Sequence, residues 1–276
     1  MIADWLAYGL KVEGETDRIQ DNPPASNQLG VAMFEAADAI NRRYQPLLDM
    51  KQADPSASME AATATAAHDI LVAYFPSKKA RSDENAAFAL DALNAPASAI
   101  SAGKAVGAEA ARRALTRGTL DPTTTLIEYR PFTLPGTRVP TALPVFENDI
   151  QGMQPWTLKS VDRLRLASLP ALTSKRWVRD FNEVKSLGGL NSTTRTAHET
   201  LMARYRITPD IMPTLRRITG MLRRRTVDNA RFFAKVHIVD CDEGSGMIDA
   251  KMHYQFWRPI TAIRNAHADG KPETLA

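Results

Sequence analysis

The chain has 276 residues, of which 44% are hydrophobic, so it can bury a sizeable core and is not expected to be disordered. The net charge of +4 comes from 35 basic and 31 acidic residues, an imbalance that fits a small anionic ligand and does not require nucleic acid. Its single cysteine, Cys241, excludes an intrachain disulfide framework and a multi-cysteine zinc site.

The amino terminus and the hydropathy pattern give no sign of membrane insertion. No run of about 18 apolar residues occurs, so no membrane span is predicted. The N-terminal stretch MIADWLAYGLKVEGETDR has acidic charge early and lacks the charged region and apolar region of a secretory signal. We therefore predict that this chain carries no signal peptide, while a periplasmic or secreted location stays open for a chain with an upstream leader.

The first predicted helix covers residues 26–48. Ser26 or Asn27 is a suitable N-cap, and Pro46 is a suitable stop. Apolar residues recur at spacings of three and four, which is typical of a helix with one apolar face: Leu29, Met33, Ala36, Ala37 and Ile40.

Similar periodicity predicts three further helices, over 58–75, 84–93 and 102–115. The last of them is rich in small residues such as Gly103 and Gly107, which would let it pack closely against a neighbouring helix. We interpret residues 1–118 as a first helical layer.

Residues 119–170 differ in character from the rest of the chain. Between residues 122 and 155, six prolines exclude a continuous helix, at positions 122, 131, 135, 140, 144 and 155. A segment of this length without regular structure is either functional or wraps around the domain. Interspersed apolar side chains favour wrapping: Phe132, Val145, Phe146 and Trp156.

Helical patterns resume after residue 171 and form a predicted second layer that extends to residue 276. The pattern over 174–189 ends in a Gly-Gly pair that suits a helix C-terminus. Thr196 and Glu199 have the spacing of a capping box at the start of the next helix. Residues 212–240 are predicted to form one long helix or two abutting helices. The chain as a whole is therefore predicted to be a single all-α domain.

Several familiar site patterns are not met. His198-Glu199 lacks the second histidine of a His-Glu-x-x-His zinc site, and the other histidines are scattered. No Gly-x-Ser-x-Gly nucleophile elbow occurs. A basic cluster without interleaved aromatics is interpreted as a solvated helix face paired with carboxylates rather than a nucleic-acid site: Arg216, Arg217, Arg223, Arg224 and Arg225.

The stretch DAKMHYQFWRPITAIR, residues 249–264, carries the remaining candidates. On a continuous helix, Lys251 and Arg258 would lie within roughly 20° of one face and roughly 10 Å apart along the axis. Their ammonium and guanidinium groups could then converge on one small oxyanion. Pro259 disfavours helical geometry at Arg258, so a helix break is expected there and a new helix could begin at the proline. The alternative is that both cations are ordinary solvent-facing residues beside a buried aromatic pair.

This stretch also resembles Lys-x6-Arg-Pro, the first active-site motif of the superfamily that joins the vanadium-dependent haloperoxidases with the type 2 phosphatidic acid phosphatases. Residues 249–264 are most similar to the bacterial haloperoxidase-like branch, with Met252 in place of an aromatic residue. Residues 181–200 and 32–48 resemble other segments of that branch, so the resemblance spans nearly the whole chain. It implies an all-α, bundle-like fold, in agreement with the helical periodicity.

The resemblance implies that Lys251 and Arg258 bind vanadate in a peroxidase or a substrate phosphate in a phosphatase. In a peroxidase of this family, vanadate linked to a histidine takes up hydrogen peroxide and a halide is oxidised. The lysine polarises the peroxide and the arginine neutralises oxyanion charge. The implied function is haloperoxidase-like. The alternatives are an acid phosphatase of the same superfamily and a non-catalytic helical protein that binds through Arg216–Arg225.

Two further motifs of the superfamily are expected downstream of the first. Neither Pro-Ser-Gly-His nor Ser-Arg-x5-His-x3-Asp occurs in residues 1–276, so the vanadium-linking histidine, the acid–base histidine and a second arginine are missing. His253 is not expected to substitute for them and is predicted to pack locally. We therefore expect a truncated member or a fragment that is inactive by itself.

Overall fold

The computed structural model describes residues 1–15, 25–118, 134–141, 152–207, 212–221 and 224–275. Within these ranges the regular structure is helical, and the only β-type pairing is an isolated antiparallel bridge between Thr137 and Phe256. The all-α prediction is confirmed. The helices are α1 (Ile2–Gly14), α2 (Ala25–Ile40), α3 (Met59–Tyr74), α4 (Lys79–Asp91), α5 (Ala97–Arg117), α6 (Lys175–Gly188), α7 (Ala197–Ile207), α8 (Met212–Met221), α9 (Thr226–Tyr254) and α10 (Pro259–Arg264). No helix among these described residues is both long enough and apolar enough to cross a bilayer.

Helix α2 is the centre of the main core. All 16 of its residues are buried, and it packs against α1, α3, α5 and α9. The prediction of a helix with one apolar face is therefore wrong, because neighbours cover every side of α2, including the polar side chains of Glu35 and Asp38. Helix α9 reaches this core from the far end of the chain with Val227 and Phe233.

The end of α2 shows how buried carboxylates shape the chain. The helix ends at Ile40, earlier than predicted. Asp38 Oδ1 accepts a hydrogen bond from the N–H of Tyr44 at 2.9 Å, and Glu35 Oε1 accepts one from the N–H of Leu47 at 2.7 Å. These N–H groups bond to side chains instead of helical carbonyl oxygens, so the backbone leaves the helix axis. Burial raises the pKa of Glu35, and hydrogen bonding from the following backbone opposes that rise.

Helices α3 and α5 pack with their backbones in close approach. A Cβ atom at Gly103 would lie 2.3 Å from the carbonyl oxygen of Ser58, and one at Gly107 would lie 2.3 Å from the carbonyl oxygen of Ala62. A side chain at either position would displace the α3 backbone. The close packing predicted for this glycine-containing helix is confirmed.

Later helices largely follow their sequence signals. The Thr196 N–H donates to Glu199 Oε2 at 2.8 Å, and the Glu199 N–H donates to Thr196 Oγ1 at 3.1 Å, so the capping box forms. Helix α6 ends at Gly188, inside the predicted Gly-Gly pair. Residues 212–240 fall in two helices, and the second continues to Tyr254.

The proline-rich segment is described in part. Residues 119–133 and 142–151 lie outside the described residues, and with them three of the four side chains that favoured wrapping: Phe132, Val145 and Phe146. Trp156 packs against the main core. The backbone N–H of Trp156 donates to Asp242 Oδ1 at 2.6 Å. The guanidinium carbon of Arg117 lies 5.2 Å from the centroid of the Trp156 ring.

A smaller cluster, which we call the aromatic lobe, is formed by Trp177 and Phe181 of α6 together with Trp257 and Ala262. The rings of Trp177 and Trp257 stack with centroids 5.9 Å apart and an interplanar angle of 23°. The indole N–H of Trp177 donates to the buried carboxylate of Asp269 at 2.8 Å. This bond ties α6 to the chain that follows α10.

Candidate oxyanion site

Lys251 and Arg258 lie on either side of a helix break. Lys251 is in the last turn of α9, and Gln255 then takes a left-handed conformation with φ 45° and ψ 40°. Arg258 is extended, with φ −76° and ψ 155°, and Pro259 begins α10. The predicted break and the new helix at the proline are confirmed. The arrangement calculated for a continuous helix is wrong, because Gln255 turns the chain between the two cations.

Backbone hydrogen bonds from a distant segment fix this turn. The N–H of Arg138 donates to the carbonyl oxygen of Gln255 at 2.7 Å, and the N–H of Trp257 donates to the carbonyl oxygen of Gly136 at 2.9 Å. The N–H of Gln255 also donates to the carbonyl oxygen of Lys251 at 3.1 Å. Gly136 has a φ of 84°, which a residue with a side chain rarely adopts. The residues between the two cations are therefore held in one backbone conformation.

The two cations are not fully solvent-facing, which was the alternative to an oxyanion site. Lys251 and Arg258 are both half-buried, next to the buried side chains of Met252 and Trp257. The nearest preceding carboxylate on α9, Asp249, binds Arg165 through two hydrogen bonds of 2.6 and 2.8 Å. That carboxylate thus has a cationic partner outside the candidate site.

Arg138 is a third cation at this turn, and it was not among the residues predicted from the sequence. It is 1% exposed, and its Nη1 lies 3.5 Å from Met252 Sδ. It is separated from Met252 by 114 positions, in the proline-rich segment, so no local spacing could connect it with Lys251. Its backbone N–H also bonds to the carbonyl oxygen of Gln255, so this arginine is part of the turn.

The histidines that the structure describes lie in different surroundings. His253 is exposed and its ring packs on Tyr254, with centroids 4.8 Å apart, so the predicted local packing is confirmed. His237 is buried in the main core, and His68 bonds to two carboxylates. Within the described part of the chain, no group of three or more His, Cys, Asp or Glu side chains could hold a metal ion.

The basic cluster around residues 216–225 makes the interactions expected of a solvated face. Arg216 pairs with Asp4 of α1, and Arg225 pairs with Asp228 at 3.1 Å. Arg223 lies outside the described residues. These contacts favour a structural role for the paired arginines.

No family model matches the chain. No curated protein matches it. Its structure is similar to a crystal structure described as that of the first bacterial vanadium-dependent iodoperoxidase, with a TM-score of 0.66. The two proteins are 14% identical, and the alignment covers 100% of this chain and 73% of that chain. The chain has a haloperoxidase-type helical fold. At this level of identity the likeness is evidence of fold and leaves the activity to be argued from the site.

The charges and hydrogen-bond donors at this turn can be compared with those that bind an oxyanion. A half-buried ammonium and a half-buried guanidinium have the charge that an oxyanion such as vanadate or phosphate requires, and a guanidinium can donate to two oxyanion oxygens at once. The histidine within this stretch, His253, is exposed, and no group of three or more His, Cys, Asp or Glu side chains in the described residues could hold a metal ion. The described residues therefore suit the charge of an oxyanion.

Proposed function

We propose that Lys251 and Arg258 bind an oxyanion and that the chain is a vanadium-dependent haloperoxidase-like protein. The observation that carries the proposal is the turn at Gln255, which places a half-buried lysine and a half-buried arginine on its two sides in a haloperoxidase-type fold. The structural neighbour that is described as a vanadium-dependent iodoperoxidase supports vanadate as the bound oxyanion.

The two side chains would have different roles. Arg258 would hold two oxyanion oxygens with its planar fork, and Lys251 would place a compact positive charge on the opposite side. In such a site, bound vanadate supplies activation of hydrogen peroxide toward a halide. The protein groups bind and orient the anion.

An acid phosphatase activity is the second candidate, because phosphate and vanadate present the same charge and shape to the two cations. The Lys-x6-Arg-Pro resemblance alone does not separate the two activities. Since the other superfamily motifs do not occur in residues 1–276, we expect negligible turnover of either kind by this chain alone. A non-catalytic helical binding protein is the third candidate.

Anion binding is the direct test. Vanadate and phosphate affinities would be measured by equilibrium dialysis for the wild type, Lys251→Ala and Arg258→Lys. Because a charge-assisted hydrogen bond contributes about 1.5–3 kcal/mol, we expect Lys251→Ala to weaken vanadate binding by roughly 10- to 100-fold. Lys235→Ala is the matched control, since Lys235 is an exposed lysine on the same helix. Equal losses in the two alanine variants would reject Lys251 as a ligand.

Turnover assays then separate the candidate activities. Iodide and bromide peroxidation after vanadate addition would be compared with hydrolysis of p-nitrophenyl phosphate. Vanadate-dependent peroxidation that Lys251→Ala abolishes would contradict the expected inactivity and establish a peroxidase. Hydrolysis with the same dependence would establish a phosphatase, and anion binding without turnover is the expected result.

A further inference from the structure

His68 lies between two carboxylates that belong to different helices. Its Nδ1 is 2.8 Å from Oδ1 of Asp69, the next residue in α3, and its Nε2 is 2.8 Å from Oδ1 of Asp83 in α4. Both distances are those of hydrogen bonds. The imidazole therefore joins the two helices through both of its ring nitrogens.

These contacts select the protonation state of the ring. An ionised carboxylate only accepts hydrogen bonds, and a neutral imidazole has one N–H, so the neutral ring can donate to only one of the two carboxylates. The imidazolium has two N–H groups and can donate to both. Lys79 Nζ also donates to Asp83 Oδ2 at 2.6 Å, and the bonds from Lys79 and His68 lower the pKa of Asp83, which keeps this carboxylate an acceptor. The geometry thus fits the charged form of His68.

Helix α4 has few apolar contacts that could replace this bridge. It packs mainly against α3. Its buried residues are Ser82 and Ala86, both of them small, and the large side chain of Phe88 is 80% exposed. Polar contacts therefore contribute a large share of the attachment of α4.

The charged groups that face His68 are Asp69 on its own helix and Asp83 on α4, with Lys79 on the far side of Asp83. Further contacts join α4 and the turn before it to α1 and to the residue that follows α1, and they involve no imidazole: Arg81 with Glu15 at 3.3 Å, Lys78 with Glu15 at 3.7 Å, and the Tyr8 hydroxyl with the Ser82 hydroxyl at 3.3 Å. A pH-dependent change in this junction near neutrality is therefore expected from His68.

We propose that His68 is a pH-sensitive clamp between α3 and α4, which holds α4 in place as an imidazolium and releases it locally when the ring becomes neutral. None of the clamp residues belongs to the candidate oxyanion site, so the inference does not depend on the proposed function.

The direction of the pH dependence follows from the two carboxylates. The hydrogen bond to Asp69 raises the pKa of His68 from its ordinary value of 6.5, burial opposes the rise, and the bond to Asp83 adds to it. A group with a higher pKa in the folded state stabilises fully below its ordinary pKa, and this stabilisation is lost as the pH rises through the folded value. The attachment of α4 should therefore be strongest below pH 6.5 and weaken above it.

The first test measures the protonation of His68 directly. NMR titration of the full chain gives the pKa of each histidine, and the His68 signals are identified by their loss in His68→Gln. We expect a His68 pKa above 6.5 in the wild type and a lower one in Asp83→Asn, because this variant removes one of the two negative partners. A wild-type pKa at or below 6.5 would overturn the proposal.

The second test measures the attachment of α4 by amide hydrogen exchange at pH 6 and pH 9. At pH 6 we expect protection in α4 to be about fivefold higher in the wild type than in His68→Gln, as for an ion pair that is only partly buried, and at pH 9 the two should be nearly equal. Other titrating groups are common to both proteins, so their contributions cancel in this ratio.

Arg81→Ala is the control for the exchange measurement, because it breaks a pair that contains no imidazole. It should lower the protection of α4 by the same factor at both pH values. Circular dichroism verifies folding, and Asp83→Asn, at a half-exposed position, gives the same comparison if His68→Gln does not fold. A ratio between wild type and clamp variant that is the same at pH 6 and pH 9 would show that His68 is not a pH-sensitive clamp.

Discussion

The main core and the aromatic lobe stabilise their parts of the chain in different ways. The main core surrounds α2 on every side and brings α3 and α5 close enough that only glycine fits at two contact positions. The lobe holds α6 and α10 together through a few large rings and the bond from Trp177 to Asp269, and it leaves an open cleft. One region is densely filled and the other is sparsely filled.

Helix α9 connects the two regions. Its first half contributes Val227, Phe233 and Ile238 to the main core, and its last turn carries Lys251 toward the lobe. The candidate oxyanion site therefore depends on a rigid helix for one cation and on a locally stabilised lobe for the other. We expect changes in the lobe to affect Arg258 while the main core remains folded.

Truncation of one tryptophan in each region should give the largest losses of stability. It should also show whether the two regions unfold independently. Trp5→Ala and Trp177→Ala each remove a buried indole, at a cost of about 3–5 kcal/mol. We expect Trp5→Ala to lower the global free energy of unfolding. Trp177→Ala should increase amide hydrogen exchange in α6 and α10 and leave exchange in α2 nearly unchanged. Equal loss of protection in α2 for both variants would show that the two regions unfold together.

The close approach of α3 and α5 offers the next test. We expect Gly107→Ala to lower the free energy of unfolding by about 3 kcal/mol, because the new methyl group would meet the Ala62 carbonyl oxygen. The measurement is urea denaturation followed by circular dichroism. Gly220→Ala in α8 is the control, since nothing lies within 4 Å of its added Cβ, and it should raise stability by up to about 1 kcal/mol.

Acidification should weaken the main core through His237. Burial lowers the pKa of this imidazole from its ordinary value of 6.5 to about 4, and its Nε2 has no hydrogen-bond partner within the described ranges. Since the unfolded chain binds the proton more readily, stability present above pH 6.5 is lost as the pH falls toward 4, by about 2–3 kcal/mol.

Two variants test whether His237 causes this pH dependence of the free energy of unfolding. His237→Leu should remove this part of the pH dependence of the free energy of unfolding, whereas His253→Leu, at an exposed position, should retain it. Burial also raises the pKa of Glu13 to about 7, which lowers stability as the pH rises from 4.5 to 7. That contribution is common to all three proteins and cancels in the differences. An unchanged slope in His237→Leu would exclude His237 as its source.

The smallest effect is expected in α7, which belongs to neither core and has no buried residue. Thr196→Ala removes the capping box and should destabilise this helix by about 1 kcal/mol. The change should appear as faster amide exchange in the first turn of α7, with an unchanged melting temperature. A large drop in melting temperature would mean that α7 contributes to global stability.

Local sequence signals predicted most of the fold because many of its elements depend on local chemistry. Ser58 caps α3 by accepting the N–H of Ala61 at 3.1 Å, and Pro259 begins α10 as its fixed φ allows. The complete burial of α2 was not predictable in the same way. Its polar residues suggest an exposed face, and only the later arrival of α9 shows that every face is covered.

The residues of the candidate site stay a prediction, and the structure corrects the geometry that was expected between them. The spacing and the resemblance identified Lys251 and Arg258. The left-handed conformation of Gln255 carries no sequence signal, because glutamine rarely adopts it and no glycine marks the turn. Arg138 escaped notice because its contact with Met252 joins residues 114 positions apart, and such pairings require the tertiary fold.

The burial of α2 also has a consequence for synthesis of the protein. The Tyr44 hydroxyl donates to Asp228 of α9, which lies 184 positions later in the chain. During synthesis, α2 therefore leaves the ribosome long before α9 does. At 5–20 residues per second, that interval is on the order of 10–40 s. During this time the side of α2 that later faces α9 is uncovered, so the nascent chain presents an apolar surface that a chaperone could protect.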